Sequence, residues 1–117
     1  MNRPFFESRA LLEDLADQFD WYELVKNAPA EVVTGFYDAY LQLTDTLRAW
    51  PESGRTIAGP IDGLQERNLP QPYEHYVLLF VGNDKEVKGY RLFGTAQLRQ
   101  SVIQRYQNDP RSLKNLL

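Results

Sequence analysis

Apolar residues recur every three or four positions in two stretches of the first fifty residues, which is the spacing of one face of an α-helix. Before Pro29 the apolar positions of this face are Leu11, Leu12, Leu15, Phe19, Tyr22 and Val25. Between Pro29 and Pro51 they are Val33, Phe36, Tyr40, Leu43, Leu47 and Trp50. The pattern predicts two antiparallel helices, with Ser8 as the cap of the first and Trp50 in the core at the end of the second.

The second of these helices is predicted to be the central one of the domain. Further apolar residues widen its apolar arc to about 200°, twice what a surface helix needs, so we expect it to be contacted on two sides. Gly35 lies inside it and costs up to ~1 kcal/mol against alanine, for which a close crossing of the neighbouring helix would compensate. Asn27, two residues before Pro29, is expected to end the first helix in the left-handed conformation.

Residues 51–72 contain four prolines and three glycines, which predicts a long loop. Asp62 and Gln65 have the spacing of a helix-capping box, so a single helical turn is expected to run to Asn68. Residues 56–58 are a candidate for a short strand.

Residues 73–93 are rich in β-branched and aromatic side chains on both sides of the turn residues 82–84, which predicts a β-hairpin. Positions 77–81 are apolar on both faces, so this strand should be covered on both sides. Because two strands alone are marginal in water, a third must come from the 51–72 loop or from a second copy of the chain. Residues 95–117 are predicted to form a C-terminal helix, capped by Thr95, and a terminal turn.

These elements predict one α+β domain spanning residues 1–117. An antiparallel helical hairpin (1–50) precedes the Pro/Gly-rich loop (51–72), the β-hairpin (73–93) with its small antiparallel sheet, and the C-terminal helix with its terminal turn (95–117).

The absence of cysteine excludes a thiolate nucleophile, a cysteine-ligated zinc and an iron-sulfur centre. Charged residues or prolines interrupt every apolar stretch well before the ~20 residues of a membrane-spanning helix, so we expect no membrane association and a cytoplasmic location. Neither glycine-rich stretch, 54–59 or 89–94, has the lysine of a phosphate-binding loop. The lone histidine, His75, has no second ligand at a metal-binding spacing. We therefore expect no cofactor, no metal and no catalytic residue.

The charge is divided along the chain. Residues 1–58 carry five Lys/Arg against ten Asp/Glu, whereas residues 87–117 carry six Lys/Arg against one acid, Asp109. The basic part supplies candidate binding residues, which are Lys88, Arg91, Arg105, Arg111 and Lys114. Arg99 projects inside the apolar arc of the last helix, so we expect it to pair with a carboxylate of the N-terminal half.

Fifteen of the 117 residues are aromatic and seven of these are tyrosines, a residue type enriched where proteins meet. Tyr73, Tyr76 and His75 are therefore further candidate contact residues. The favoured hypothesis is a small non-enzymatic protein, an accessory, inhibitor or regulatory factor, which binds another protein and forms a homodimer. One alternative is nucleic-acid binding through the basic C-terminal stretch. The other is a small-ligand binder or enzyme with a pocket where Arg55, His75, Tyr76 and Arg91 converge.

Overall fold

The computed structural model describes residues 2–58 and 61–94, except for the side chain of Val25. Its elements are β1 (Phe5–Glu7), α1 (Arg9–Asp20), a π-helical turn (Trp21–Val25), α2 (Ala30–Ala49), β2 (Arg55–Thr56), β3 (Gln65–Asn68), β4 (Val77–Gly82) and β5 (Val87–Phe93). The α+β class and the helical hairpin are as predicted. The C-terminal helix expected at 95–117, with Arg99, Arg105, Arg111 and Lys114, lies outside the described residues.

The strands form one five-stranded sheet in the order β1-β5-β4-β3-β2. β1 runs parallel to β5, and the other neighbours are antiparallel. The strands that extend the predicted β-hairpin into a larger sheet thus come from within the chain. Two of them, β2 and β3, lie in the 51–72 loop, which is one of the two predicted sources, and the third is β1. An incomplete sheet is therefore no reason to expect a homodimer.

The prediction of a helical turn after Asp62 is wrong, because Gln65–Asn68 forms β3 and pairs with β4. The Gln65 side chain does not cap a helix. Its oxygen accepts a hydrogen bond from the Gly54 N–H at 3.0 Å, and its nitrogen donates to the Pro51 carbonyl at 3.3 Å. These two bonds attach β3 to the chain that leaves α2, which favours the extended form.

Both helices pack on one face of the sheet and form the main core with it. The buried residues of this core include Leu11, Leu15, Phe36, Tyr40, Leu43, Leu47, Leu78 and Phe80. Ser8 caps α1 as predicted: its hydroxyl accepts from the Leu11 N–H at 2.9 Å and donates to the Tyr90 carbonyl at 2.8 Å. On the opposite face of the sheet a second cluster contains Leu64, Leu79, Tyr90 and Phe93. β4 is thus covered on both sides, as its apolar pattern predicts.

Two sequence expectations about α2 fail. Trp50 is 66% exposed rather than in the core, because α2 ends at Ala49 and the Trp50 backbone leaves the helical conformation (φ −131°, ψ 79°). Gly35 faces no neighbouring helix. A Cβ at this position would lie 2.7 Å from the Tyr73 hydroxyl, which donates to the Val32 carbonyl at 2.8 Å. Gly35 therefore makes room for a tyrosine ring.

Candidate protein-binding surface

The connection between α1 and α2 presents large apolar side chains to the surface. After Asp20 the helix widens into the π-helical turn, in which the Lys26 N–H donates to the Trp21 carbonyl at 3.0 Å. Trp21 is 39% exposed and Leu24 is 79% exposed. Single π-helical turns occur frequently at functional sites. We call residues 20–34, which include this turn and the start of α2, the hairpin tip.

The backbone of the hairpin tip is set by a tight, hydrogen-bonded connection. Asn27 has φ +46°, the left-handed conformation predicted for it, which asparagine tolerates better than most residues. The Ala28 N–H donates to the Tyr22 carbonyl at 2.8 Å, and the Val32 N–H donates to the Pro29 carbonyl at 3.0 Å. These two bonds close the connection between the π-helical turn and α2.

A cleft of about 380 Å³ opens at the hairpin tip, and its lining residues are Glu23, Asn27, Ala28, Ala30, Val33 and Thr34. Ala28 and Val33 are partly buried and pack against the main core. The lining of the cleft thus combines small apolar side chains with polar ones.

The hairpin tip is acidic. Asp20, Glu23 and Glu31 are exposed, and the tip has one cation, Lys26, giving a formal charge of −2 for residues 20–34. The Lys26 ammonium lies 5.4 Å from the centre of the Trp21 ring, within the range of a cation–π interaction. An apolar surface with an acidic border results.

The apolar surface continues along α2. Tyr37 and Leu41 are both exposed and lie one helical turn apart. The centre of the Tyr37 ring lies 5.7 Å from that of Phe19, in an edge-to-face arrangement, and 6.2 Å from that of Tyr40, on which it stacks. Tyr40 donates a short hydrogen bond to the Glu7 carboxylate, and burial together with this bond raises the pKa of Tyr40. We call the hairpin tip together with Tyr37 and Leu41 the hairpin surface.

Of the two tyrosines predicted as contact residues, Tyr76 is a core residue. Tyr76 is buried. Its hydroxyl donates to Gln18 Oε1 at 2.6 Å and lies 2.9 Å from the Tyr22 hydroxyl, so it connects the end of α1 to β4. Tyr73 is half-buried, and its hydroxyl bonds to the Val32 carbonyl. Tyr76 is therefore corrected from a contact residue to a core residue, whereas His75 is exposed and stays a candidate.

The basic residues predicted as a binding stretch are in part engaged inside the fold. The Arg91 guanidinium bonds to both oxygens of Asp14, at 2.7 and 3.0 Å. Lys88 Nζ lies 3.5 Å from the Glu86 carboxylate. These two cations are thus paired, and Arg105, Arg111 and Lys114 lie beyond the described residues. Nothing in the described part of the chain favours nucleic acid as the partner.

The predicted small-ligand pocket does not form. Arg55 lies on β2 beside Glu66, at 3.3 Å, whereas Arg91 lies on β5. Two strands separate β2 from β5, which places the two backbones about 14 Å apart. Tyr76 meanwhile packs into the core on the helical face. Arg55, Tyr76 and Arg91 therefore do not converge.

Within residues 2–58 and 61–94, no group of three or more His, Asp or Glu side chains is arranged to hold a metal ion. The helices of the same residues are too short or too polar to cross a membrane.

The sequence patterns did not single out the hairpin tip. Trp21 and Leu24 fall outside the periodic apolar face of the first helix, so the periodicity assigns them no role. A usable signal was present, because two large apolar residues on the outer side of an otherwise acidic helix have no core to enter.

The fold is similar to that of one chain in the solved structure of the chromosomal ParDE TA system from P. aeruginosa. The two chains superpose with a TM-score of 0.61 at 15% sequence identity, over 80% of this chain and 96% of the other. No protein-family model matches the sequence, and no curated protein matches it. At this identity the similarity shows a shared fold.

Proposed function

We propose that this chain is a small, non-enzymatic regulatory protein which acts by binding another protein through the hairpin surface. The observation that carries the proposal is the exposure of Leu24 and Trp21 in the same helical turn as Glu23, which lines an open cleft together with Ala28 and Val33. Grouped exposed apolar side chains mark protein-binding sites, and tryptophan and tyrosine are enriched among the residues that dominate binding energy.

The structural neighbour supports the same class of function. It comes from a toxin–antitoxin (TA) system, and we propose that this chain likewise belongs to a toxin–antitoxin pair in which its partner is a protein. A shared fold does not define a function, so the proposal depends on the hairpin surface and the neighbour adds support.

The homodimer remains a proposal that light scattering tests. The chain supplies all five strands of the sheet, so an incomplete sheet does not support a homodimer, and the tyrosine content is the remaining argument for it. A cytoplasmic location stays a prediction.

Site-specific photo-crosslinking in the cells that make the protein tests the proposed function. A photoreactive amino acid at position 24 is compared with the same amino acid at position 85, which is also exposed but lies in the turn between β4 and β5. We expect one protein adduct at position 24 that is missing at position 85. Identical adducts at both positions, or none at position 24, would overturn the proposal.

A further inference from the structure

The partner segment that fits the hairpin tip can be specified by its chemistry. We infer that it is a basic amphipathic helix, which places an aliphatic side chain in the tip cleft and directs Lys or Arg side chains toward Glu23 and Glu31. This inference rests on the proposed function and names the class of partner that the tip recognises.

The backbone of the tip favours a helical partner over an extended one. Residues 21–25 and 30–34 are helical, so the tip presents no strand edge to which a partner strand could be added. A partner must therefore be held by side chains. Among the side-chain recognition modes, the one that pairs an apolar cleft with a charged border is an amphipathic helix, whose apolar face lies in the groove while its polar face meets the border.

The apolar features of the tip supply the anchors for that face. Leu24 and Trp21 lie three residues apart on the π-helical turn, and the cleft opens beside Glu23, between this turn and the start of α2. An aliphatic side chain entering the cleft would contact Ala28 and Val33, which pack against the core. Burial of such a side chain removes apolar surface from water, which favours binding.

The negative charge of the hairpin tip favours a partner segment of positive charge. Asp20, Glu23 and Glu31 are exposed, whereas the single cation, Lys26, lies over the Trp21 ring. Complementary charge steers association and disfavours partners of the same sign. A second copy of this chain, binding tip to tip about a two-fold axis, would place acidic residues against acidic residues. The charge therefore favours a basic partner over self-association at the tip.

Binding of a defined probe tests the inference. The probe is an 18-residue peptide of Leu, Ala and Lys with Leu at helical spacing and Lys on the opposite face. The controls are a scrambled peptide and a version with Glu in place of Lys. With the full chain labelled for NMR, we expect shift changes concentrated in residues 20–34, and at least tenfold weaker binding of both control peptides. Shift changes centred elsewhere, or equal binding of the scrambled peptide, would overturn the inference.

Charge-reversal variants distinguish recognition at the hairpin tip from a general effect of the negative charge of the protein. Glu23→Lys combined with Glu31→Lys should weaken peptide binding at least tenfold. Glu74→Lys, an equally exposed acid before β4, should leave binding within twofold. Equal effects at both places would contradict recognition at the tip. Leu24→Ser provides a second variant, because its exposed side chain contributes little to folding.

The crosslinking experiment distinguishes this inference from the proposed function. If position 24 crosslinks to a partner through an acidic or an extended segment, the inference is wrong and the proposed function stands. If position 24 yields no adduct and the peptide does not bind, both are wrong.

Discussion

Asp14 and Arg91 join the first helix to β5 through two parallel hydrogen bonds, from Arg91 Nε to Oδ2 at 2.7 Å and from Nη2 to Oδ1 at 3.0 Å. The Leu92 N–H donates to the same carboxylate at 2.9 Å. β1 pairs with β5 only as far as Gly89. The Asp14 carboxylate therefore accepts a hydrogen bond from the β5 edge beyond the residues that pair with β1. It also links α1 to the sheet.

Removing the Asp14 carboxylate is expected to destabilise the fold. The two side chains are only 14% and 21% exposed, so Asp14→Ala removes a shielded counter-ion of Arg91 and the acceptor of the Leu92 N–H. We expect the free energy of unfolding to fall by about 2–4 kcal/mol in chemical denaturation. Asp14→Asn keeps an acceptor and should lose less. A double-mutant cycle with Arg91→Met should show a coupling above ~1 kcal/mol, and strictly additive effects would contradict the pairing.

Trp50 and Leu47 are expected to differ sharply although both belong to the same predicted helical face. Leu47 is fully buried, so Leu47→Ala should cost about 2–5 kcal/mol. Trp50 is largely exposed, so Trp50→Ala should cost less than about 1 kcal/mol. Thermal melts of the two variants provide the comparison. A loss for Trp50→Ala as large as that for Leu47→Ala would show that the indole is buried.

Gly82 and Gly94 form a second matched pair. A Cβ on Gly82 would overlap the carbonyl oxygen of Pro51, a backbone atom that cannot move alone. A Cβ on Gly94 would lie 3.4 Å from the Tyr76 ring, an ordinary contact. Gly82→Ala should therefore destabilise by about 3 kcal/mol, whereas Gly94→Ala should stay within about 0.5 kcal/mol. Equal urea midpoints for the two variants would contradict the packing of β4 against Pro51.

Stability is expected to fall at alkaline pH because of buried tyrosines. Burial, reinforced by the hydrogen bond of Tyr40 with Glu7 and by that of Tyr76 with Tyr22, raises the pKa values of Tyr40 and Tyr76 above that of an unfolded tyrosine, about 10. Above pH ~10 the unfolded chain releases these protons and the folded chain keeps them, so the free energy of unfolding decreases as the pH rises. Each such tyrosine contributes a slope of up to ~1.4 kcal/mol per pH unit. Urea unfolding between pH 9 and pH 11.5 should show a shallower slope for Tyr40→Phe than for the wild type. An unchanged slope would mean that Tyr40 ionises freely in the fold.

The helices of this fold could be predicted from the sequence because α1 and α2 each present several turns of periodic apolar residues to the core. The hairpin of β4 and β5 could be predicted as well, since the two strands contain apolar residues and are joined by turn residues. β1 could not be predicted, because three residues are too few to show a periodic pattern. β3 could not be predicted either, because its sequence, Gln-Glu-Arg-Asn, is polar and becomes a strand only through pairing with β4.

The candidate site was harder to predict than the fold for a related physical reason. Periodicity reports which residues enter a core, and so it identified Tyr22 but did not identify Trp21 and Leu24. Tyrosine content favoured a binding function, yet Tyr76 is a core residue with a bonded hydroxyl. Which tyrosine is buried depends on tertiary packing, which composition does not report.

The most direct test of the central claim measures affinity and stability on the same variant, Leu24→Ser. The affinity is that for the protein crosslinked at position 24, measured by titration calorimetry, and the stability is the free energy of unfolding. We expect Kd to rise at least tenfold, which corresponds to about 1.4 kcal/mol, while the free energy of unfolding changes by less than about 0.5 kcal/mol. An unchanged Kd would contradict a binding function of the hairpin surface.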